Sequence, residues 1–222
     1  MRFVVAVLLV WILGSCAQQT SQRGDILIIG DSVLAWNRTE GRDVGSALAS
    51  ELGRDVVNRA AFGAQIGATD LARIVGLSIP GQMPPGRWNW VIANGAANDL
   101  GFTCGCTRCG QVIDQLISTD SQSGAIPDLV SKAQAQGARV LWLGYYKAPE
   151  TTSFTGCRPG LVEIERRIEV LARSNTGLYF LDAEDVFDPP VRDLFDTDRT
   201  HPSAKGSALI GTEIARVIER AS

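Results

Sequence analysis

The chain holds a single histidine, His201, and the residues around it suggest acid–base chemistry. An imidazole ionises near neutral pH, so it can take a proton from a weak nucleophile and return it to a leaving group. Three residues earlier stands Asp198, within Asp198-Arg199-Thr200-His201-Pro202. On a tight turn this spacing lets a carboxylate reach the ring Nδ1–H, which fixes the tautomer and steadies the imidazolium as it forms. Asp193 and Asp196 are near enough in sequence to serve instead. The nucleophile candidate is Ser32, in Gly30-Asp31-Ser32 directly after the apolar run 26–29. Gly30 permits a sharp exit, and at the start of the next segment the Ser32 N–H can face a developing oxyanion. Asp and Ser are also ordinary turn and helix-cap residues. An oxyanion needs prearranged neutral donors, and Gly63 and Asn98 offer an unobstructed backbone N–H and an uncharged amide.

These residues are far apart in sequence, so a fold must bring them together. The runs 26–29, 55–58, 90–93, 139–143 and 178–181 are short, apolar and without alternation, as expected of strands covered on both faces. Between them lie helical patterns: Val44, Leu48 and Leu52 closed by Gly53; Leu71, Ile74 and Val75; a stretch interrupted at Gly124 and Pro127; Leu161, Ile164, Ile168 and Leu171; and Ile210, Ile214, Val217 and Ile218. This alternation predicts a three-layer α/β/α sandwich on a five-stranded parallel sheet, with 2-1-3-4-5 as the expected strand order. Ligands of such sheets bind beyond the carboxyl ends of the strands. The segments holding Ser32, Gly63 and Asn98 follow strands one, two and three, and residues 198–201 lead into the last helix. Trp36, Trp88, Tyr145 and Tyr146 flank strand ends or the nucleophile, where they either line a pocket or pack the core.

With 222 residues there is room for one domain of ordinary globular composition, and a net charge of −3 provides no basic field for nucleic acid. Met1-Arg2 followed by the apolar run 3–13 reads as a signal peptide, since a membrane span needs about 20 residues. Leu13-Gly14-Ser15-Cys16 and the polar residues after it resemble a bacterial lipobox. That resemblance implies a leader over 1–15, lipidation of Cys16 and a polar linker over 16–24, which would anchor the domain 25–222 to a membrane in the cell envelope, on its periplasmic face. A secretory peptide with an incidental Cys16 is the alternative. Four further cysteines, Cys104, Cys106, Cys109 and Cys157, form an even set in an exported domain and point to two disulfides. Strain disfavours Cys104–Cys106, leaving two pairings, both of which tie Cys157 to the 104–106 segment. A zinc knot on the four thiolates is the rival reading.

Taken in order, Gly30-Asp31-Ser32, Gly63 after Asn58, Asn98-Asp99 and Asp198-x-x-His201 resemble the four blocks of the GDSL/SGNH hydrolase family over nearly the whole chain. The resemblance implies Ser32 as nucleophile, His201 as base, Asp198 orienting it, and an oxyanion hole from the Ser32 and Gly63 N–H groups and the Asn98 amide. It implies a single hydrolase domain that cleaves small-acyl carboxylic esters, free or glycan-linked, and requires no metal or cofactor. Two departures stand out: Val33 occupies the usual leucine place, and Ala96 the glycine place of the third block, which bears on the aim of Asn98. Acyl transfer to an envelope sugar, or an idle binding protein on the same fold, are the alternatives.

Overall fold

A computed structural model describes residues 22–151 and 153–222. Cys16 and the leader expected over 1–15 lie outside the described residues. The elements run β1 (Gln22–Ile29), α1 (Ser32–Ala35), α2 (Val44–Leu52), β2 (Val56–Asn58), α3 (Asp70–Ile74), β3 (Gly86–Ala93), α4 (Ala97–Cys104), α5 (Gly110–Leu116), α6 (Ala125–Ala135), β4 (Arg139–Leu143), α7 (Arg158–Ser174), β5 (Leu178–Leu181), α8 (Ala183–Val186) and α9 (Ala204–Arg220). The five strands form one parallel sheet in the order β2-β1-β3-β4-β5, as expected. β1 begins at Gln22 and pairs there with Gly86, so the last residues of the expected linker belong to the sheet.

The absence of alternation in β1 has the cause inferred for it. Ile26, Leu27, Ile28 and Ile29 are all fully buried, because helices cover both faces of the sheet. α2 packs on α9, and α5 joins α4, α6 and α7. Gly211 of α9 lets the α2 backbone approach: a Cβ there would lie 2.7 Å from that of Ala47. Pro127 does not interrupt a helix. It sits in the first turn of α6, where no backbone donor is needed, and the break lies at Gly124, with φ +118°.

α3 forms where the spacing of Leu71, Ile74 and Val75 predicts a helix, and its apolar residues lie on the surface: Leu71 is 70% exposed and Ile74 82%. Periodicity specifies an amphipathic turn, not that another element covers it. The segment after β3 is helical: α4 occupies it up to Cys104. Among the aromatics, Trp88 is a core residue, 2% exposed.

The cysteines form Cys104–Cys109 and Cys106–Cys157, one of the two pairings left open. The first closes the turn between α4 and α5. The second joins that turn to Cys157, the N-cap of α7, and so ties the crossover after β4 to the crossover after β3.

Candidate active site

β1 delivers the nucleophile candidate through a turn that only a residue without a side chain can make. Gly30 has φ +154°, and a Cβ there would lie 1.9 Å from Asn94 Oδ1. That close approach lets Asn94 grip the following residue from both sides: Asp31 N–H donates to Asn94 Oδ1, and Asn94 Nδ2 donates to Asp31 Oδ1, each at 3.0 Å. Gln82 pairs with Gly30 in the same manner, through its N–H (2.7 Å) and its carbonyl (2.9 Å). Asp31 caps α1 by accepting the Val33 N–H. Its other oxygen accepts the Tyr145 hydroxyl, which in turn accepts the Ala97 N–H at the start of α4. Burial, then the negative charge and hydrogen bond of Asp31, push the Tyr145 hydroxyl well above its usual range, so it stays a donor.

Ser32 is thereby placed at the first position of α1, with its side chain toward the loop before α9. Its Oγ lies 2.8 Å from His201 Nε2. On the other side of the ring, His201 Nδ1 is 2.5 Å from Asp198 Oδ2, while Asp198 Oδ1 accepts the N–H groups of Thr200 and His201, both at 3.0 Å. Burial raises the Asp198 pKa, but the hydrogen bonds from His201 and Thr200 outweigh it and hold the carboxyl below its ordinary value. The other aspartates have different partners: Asp193 pairs with Lys205, and Asp196 accepts the Trp36 indole N–H. Tyr146 donates to the Thr200 carbonyl at 2.9 Å and so steadies the segment next to His201.

Gly63 and Asn98 meet through a set of cross-links between the loop after β2 and the start of α4. Asn98 Nδ2 donates to the Ala64 carbonyl at 3.0 Å, and Gln65 Nε2 donates to the Asn98 carbonyl at 3.2 Å. Asp99 accepts the N–H groups of Ile66 (3.1 Å) and Gly67 (2.7 Å). Burial of Asp99 raises its pKa to about 6 against the pull of those two bonds. Among the described residues, neither the Ser32 N–H nor the Gly63 N–H donates a hydrogen bond; Ser32 and Asn98 line a common cavity, and Gly63 is not part of that lining. Ala96 is fully buried with a left-handed backbone at φ +118°, a conformation that favours glycine, and Asn98 lines the cavity two residues on. Val33 is buried in the core, so that departure concerns packing.

A cavity of about 320 Å³ opens at Ser32 and His201, and its lining includes Asn98, Tyr145, Tyr146, Phe154, Cys157 and Leu161. Both tyrosines thus line the pocket as well as bracing its frame. Trp36 is not part of the lining. It stacks on His201 with ring centroids 3.8 Å apart and an interplanar angle of 3°.

Residue type and order point to Ser32, Asp198 and His201, which the structure brings into contact, and to Asn98, which lines the same cavity. Asn94 and Gln82 carry no local signal, and the contacts made by Tyr145, Asp99, Asp196 and Trp36 are with partners distant in sequence.

Comparison with known proteins follows the same lines. The GDSL-like Lipase/Acylhydrolase family model matches residues 28–209. No curated protein sequence is significantly similar to this chain. A protein assigned to the G-D-S-L lipolytic family from Desulfitobacterium hafniense DCB-2 superimposes with a TM-score of 0.62 at 18% identity, covering 87% of this chain and 99% of that one. A carbohydrate esterase family 2 enzyme with a carbohydrate-binding domain, from Corynascus thermopiles, gives 0.61 at 17% identity over 90% of this chain and 67% of its own. An acetyl-xylooligosaccharide esterase from Geobacillus Stearmophilus gives 0.59 at 19%, over 89% and 93%. At these identities the structures share the fold, and the matched blocks supply the rest: this chain belongs to the GDSL-like Lipase/Acylhydrolase family.

Proposed function

We propose that this protein is a serine hydrolase that cleaves carboxylic esters through an acyl-enzyme on Ser32. The observation that carries the reading is the line Ser32 Oγ, His201 Nε2, His201 Nδ1, Asp198 Oδ2, with separations of 2.8 and 2.5 Å at its two hydrogen bonds. As Ser32 Oγ bonds to the ester carbon, its proton passes to His201 Nε2, and Asp198 stabilises the imidazolium. The carbonyl oxygen becomes an oxyanion facing the Ser32 and Gly63 N–H groups and the second amide hydrogen of Asn98. Collapse breaks the bond to the alkoxy oxygen, which takes the proton from His201. Water then attacks the acyl-enzyme with His201 again as base, releasing the acid and restoring Ser32.

The substrate class is a small-acyl ester, of a simple alcohol or a glycan. The cavity at Ser32 has a volume of about 320 Å³ and a lining that includes Tyr145, Tyr146, Cys157 and Leu161, which favours a compact acyl group. Two structures with the same fold bear the names of a carbohydrate esterase and an acetyl-xylooligosaccharide esterase, in keeping with this reading. The leader and Cys16 add the proposal that the domain works in the bacterial envelope, held to a membrane by lipid. Hydrolysis of p-nitrophenyl esters of graded acyl length, with Ser32→Ala as control, tests the activity. The expected result is turnover highest for short acyl groups and lost in the variant. Full turnover by Ser32→Ala overturns the reading.

A further inference from the structure

Trp36 is the C-cap of the four-residue helix that Ser32 begins, and its N–H donates to the Ser32 carbonyl at 2.9 Å. The nucleophile and the indole therefore move as one turn of backbone. The indole lies flat on the His201 imidazole, 3.8 Å between centroids and 3° from parallel. Its Nε1–H donates to Asp196 Oδ2 at 2.6 Å, and the Asp196 N–H donates to the His201 carbonyl at 2.8 Å. The contacts close a ring: Ser32 to Trp36 along the helix, Trp36 to Asp196, Asp196 to His201, and His201 back to Ser32. On its other side Trp36 takes the edge of Phe62, 5.3 Å away at 83°, and Phe62 precedes Gly63.

The geometry points to Trp36 as a positioning residue for His201, with Asp196 as its anchor; the inference rests on the hydrolase reading above. Two effects follow from the stack. A flat partner on the ring face opposes rotation about the bond that carries the imidazole, so Nε2 stays aimed at Ser32 Oγ while Asp198 holds Nδ1. The ring becomes a cation as it accepts the Ser32 proton, and an indole face attracts a cation most strongly of the aromatic side chains. The Asp196 carboxylate on the indole N–H adds electron density to that face. The attraction grows as the imidazolium forms and the stack keeps the base aimed throughout, so both act on kcat. Because Trp36 does not line the cavity, KM is not engaged.

The test uses the single histidine as a probe. In proton NMR of the resting protein, the ring current of the indole holds the His201 carbon-bound proton signals upfield, and Trp36→Leu moves them downfield. With p-nitrophenyl acetate, Trp36→Leu lowers kcat roughly 10- to 30-fold with KM unchanged. Trp36→Phe keeps an aromatic face and recovers most of that loss. Asp196→Ala gives a smaller kcat loss and a partial shift of the His201 signals. Unshifted His201 signals, an undiminished kcat in folded Trp36→Leu, or a rise in KM alone overturns the proposal. If Trp36→Leu does not fold, Asp196→Ala with unchanged signals and kcat overturns it equally. A wild-type protein without esterase activity counts against the hydrolase reading instead, and the NMR comparison still tests the stack.

Discussion

Asn98 donates an amide hydrogen to the carbonyl of Ala64, at 3.0 Å, and its side chain lines the cavity at Ser32 and His201. Because Ala64 follows Gly63, this bond ties together the segments that hold two of the three proposed oxyanion donors. Asp99 repeats the connection one residue along, through Ile66 and Gly67. The loop and the helix therefore form one preorganised unit, and reorganisation during the reaction is avoided. Asn98→Ala removes a donor and a cross-link together. Its kcat should fall by about 10²–10³ with a smaller change in KM. Steady-state kinetics on p-nitrophenyl acetate checks this, and a change confined to KM contradicts it.

Ala96 provides a test in the opposite direction. A non-glycine residue at φ +118° and ψ −27° is strained by roughly 1–3 kcal/mol. Ala96→Gly removes the strain and adds backbone freedom to the unfolded chain, which costs about 0.4–1 kcal/mol. The net expectation is a stability gain of about 1 kcal/mol with catalysis retained, measured by denaturant unfolding. A loss of activity would mean that the alanine side chain itself shapes the site.

Cys106–Cys157 joins residues 51 apart in sequence, so it restricts a long loop of the unfolded chain. Its removal in the Cys106→Ser, Cys157→Ser double variant should cost about 3–4 kcal/mol on the chain-entropy account. Cys157 also lines the cavity and caps α7, so freeing it should raise KM for esters that fill the pocket more than for p-nitrophenyl acetate. Equal KM changes across such a panel would leave the bond a purely structural role.

Much of this architecture was legible in advance, and what was not has physical causes. Short apolar runs marked every strand, because burial on both faces removes alternation and leaves little else for such segments to be. Ser32 and His201 were legible because a lone histidine three residues after an aspartate has few other uses when a Gly-Asp-Ser turn follows a buried strand. Leu71 and Ile74 mark a helix correctly, but their exposure is not legible, because a pattern in one segment cannot report whether another segment packs on it. Trp36 was set among pocket or core residues, yet it meets the ring of His201, a contact made between residues 165 positions apart and invisible to any local pattern. Tyr145 is legible as a pocket or core residue, but its hydroxyl's bridge between Asp31 and the start of α4 is not, for the same reason.

The frame behind the cavity should respond to pH. Burial of the Glu165 carboxyl raises its pKa from 4.5 to about 7, although it accepts the Tyr145 N–H and pairs with Arg158. Between those two values the folded protein holds a proton that the unfolded chain has released. The contribution of Glu165 is thus fully present below about pH 4.5 and is lost as the pH rises through about 7, up to about 3 kcal/mol in all. Glu165→Gln removes this dependence while keeping an acceptor for Tyr145. Relative to wild type, the variant should therefore gain stability from pH 4.5 to pH 7, as followed by urea unfolding at a series of pH values. A stability difference independent of pH contradicts the assignment.

The central claim is that Ser32 is activated by His201. Reaction with a fluorophosphonate, which phosphonylates an activated serine with loss of fluoride, tests it most directly. Mass mapping of the labelled protein should place the adduct on Ser32 alone, and His201→Ala should abolish it while the protein stays folded. A folded wild-type protein that takes up no label, or one labelled as fast in His201→Ala as in wild type, contradicts the account.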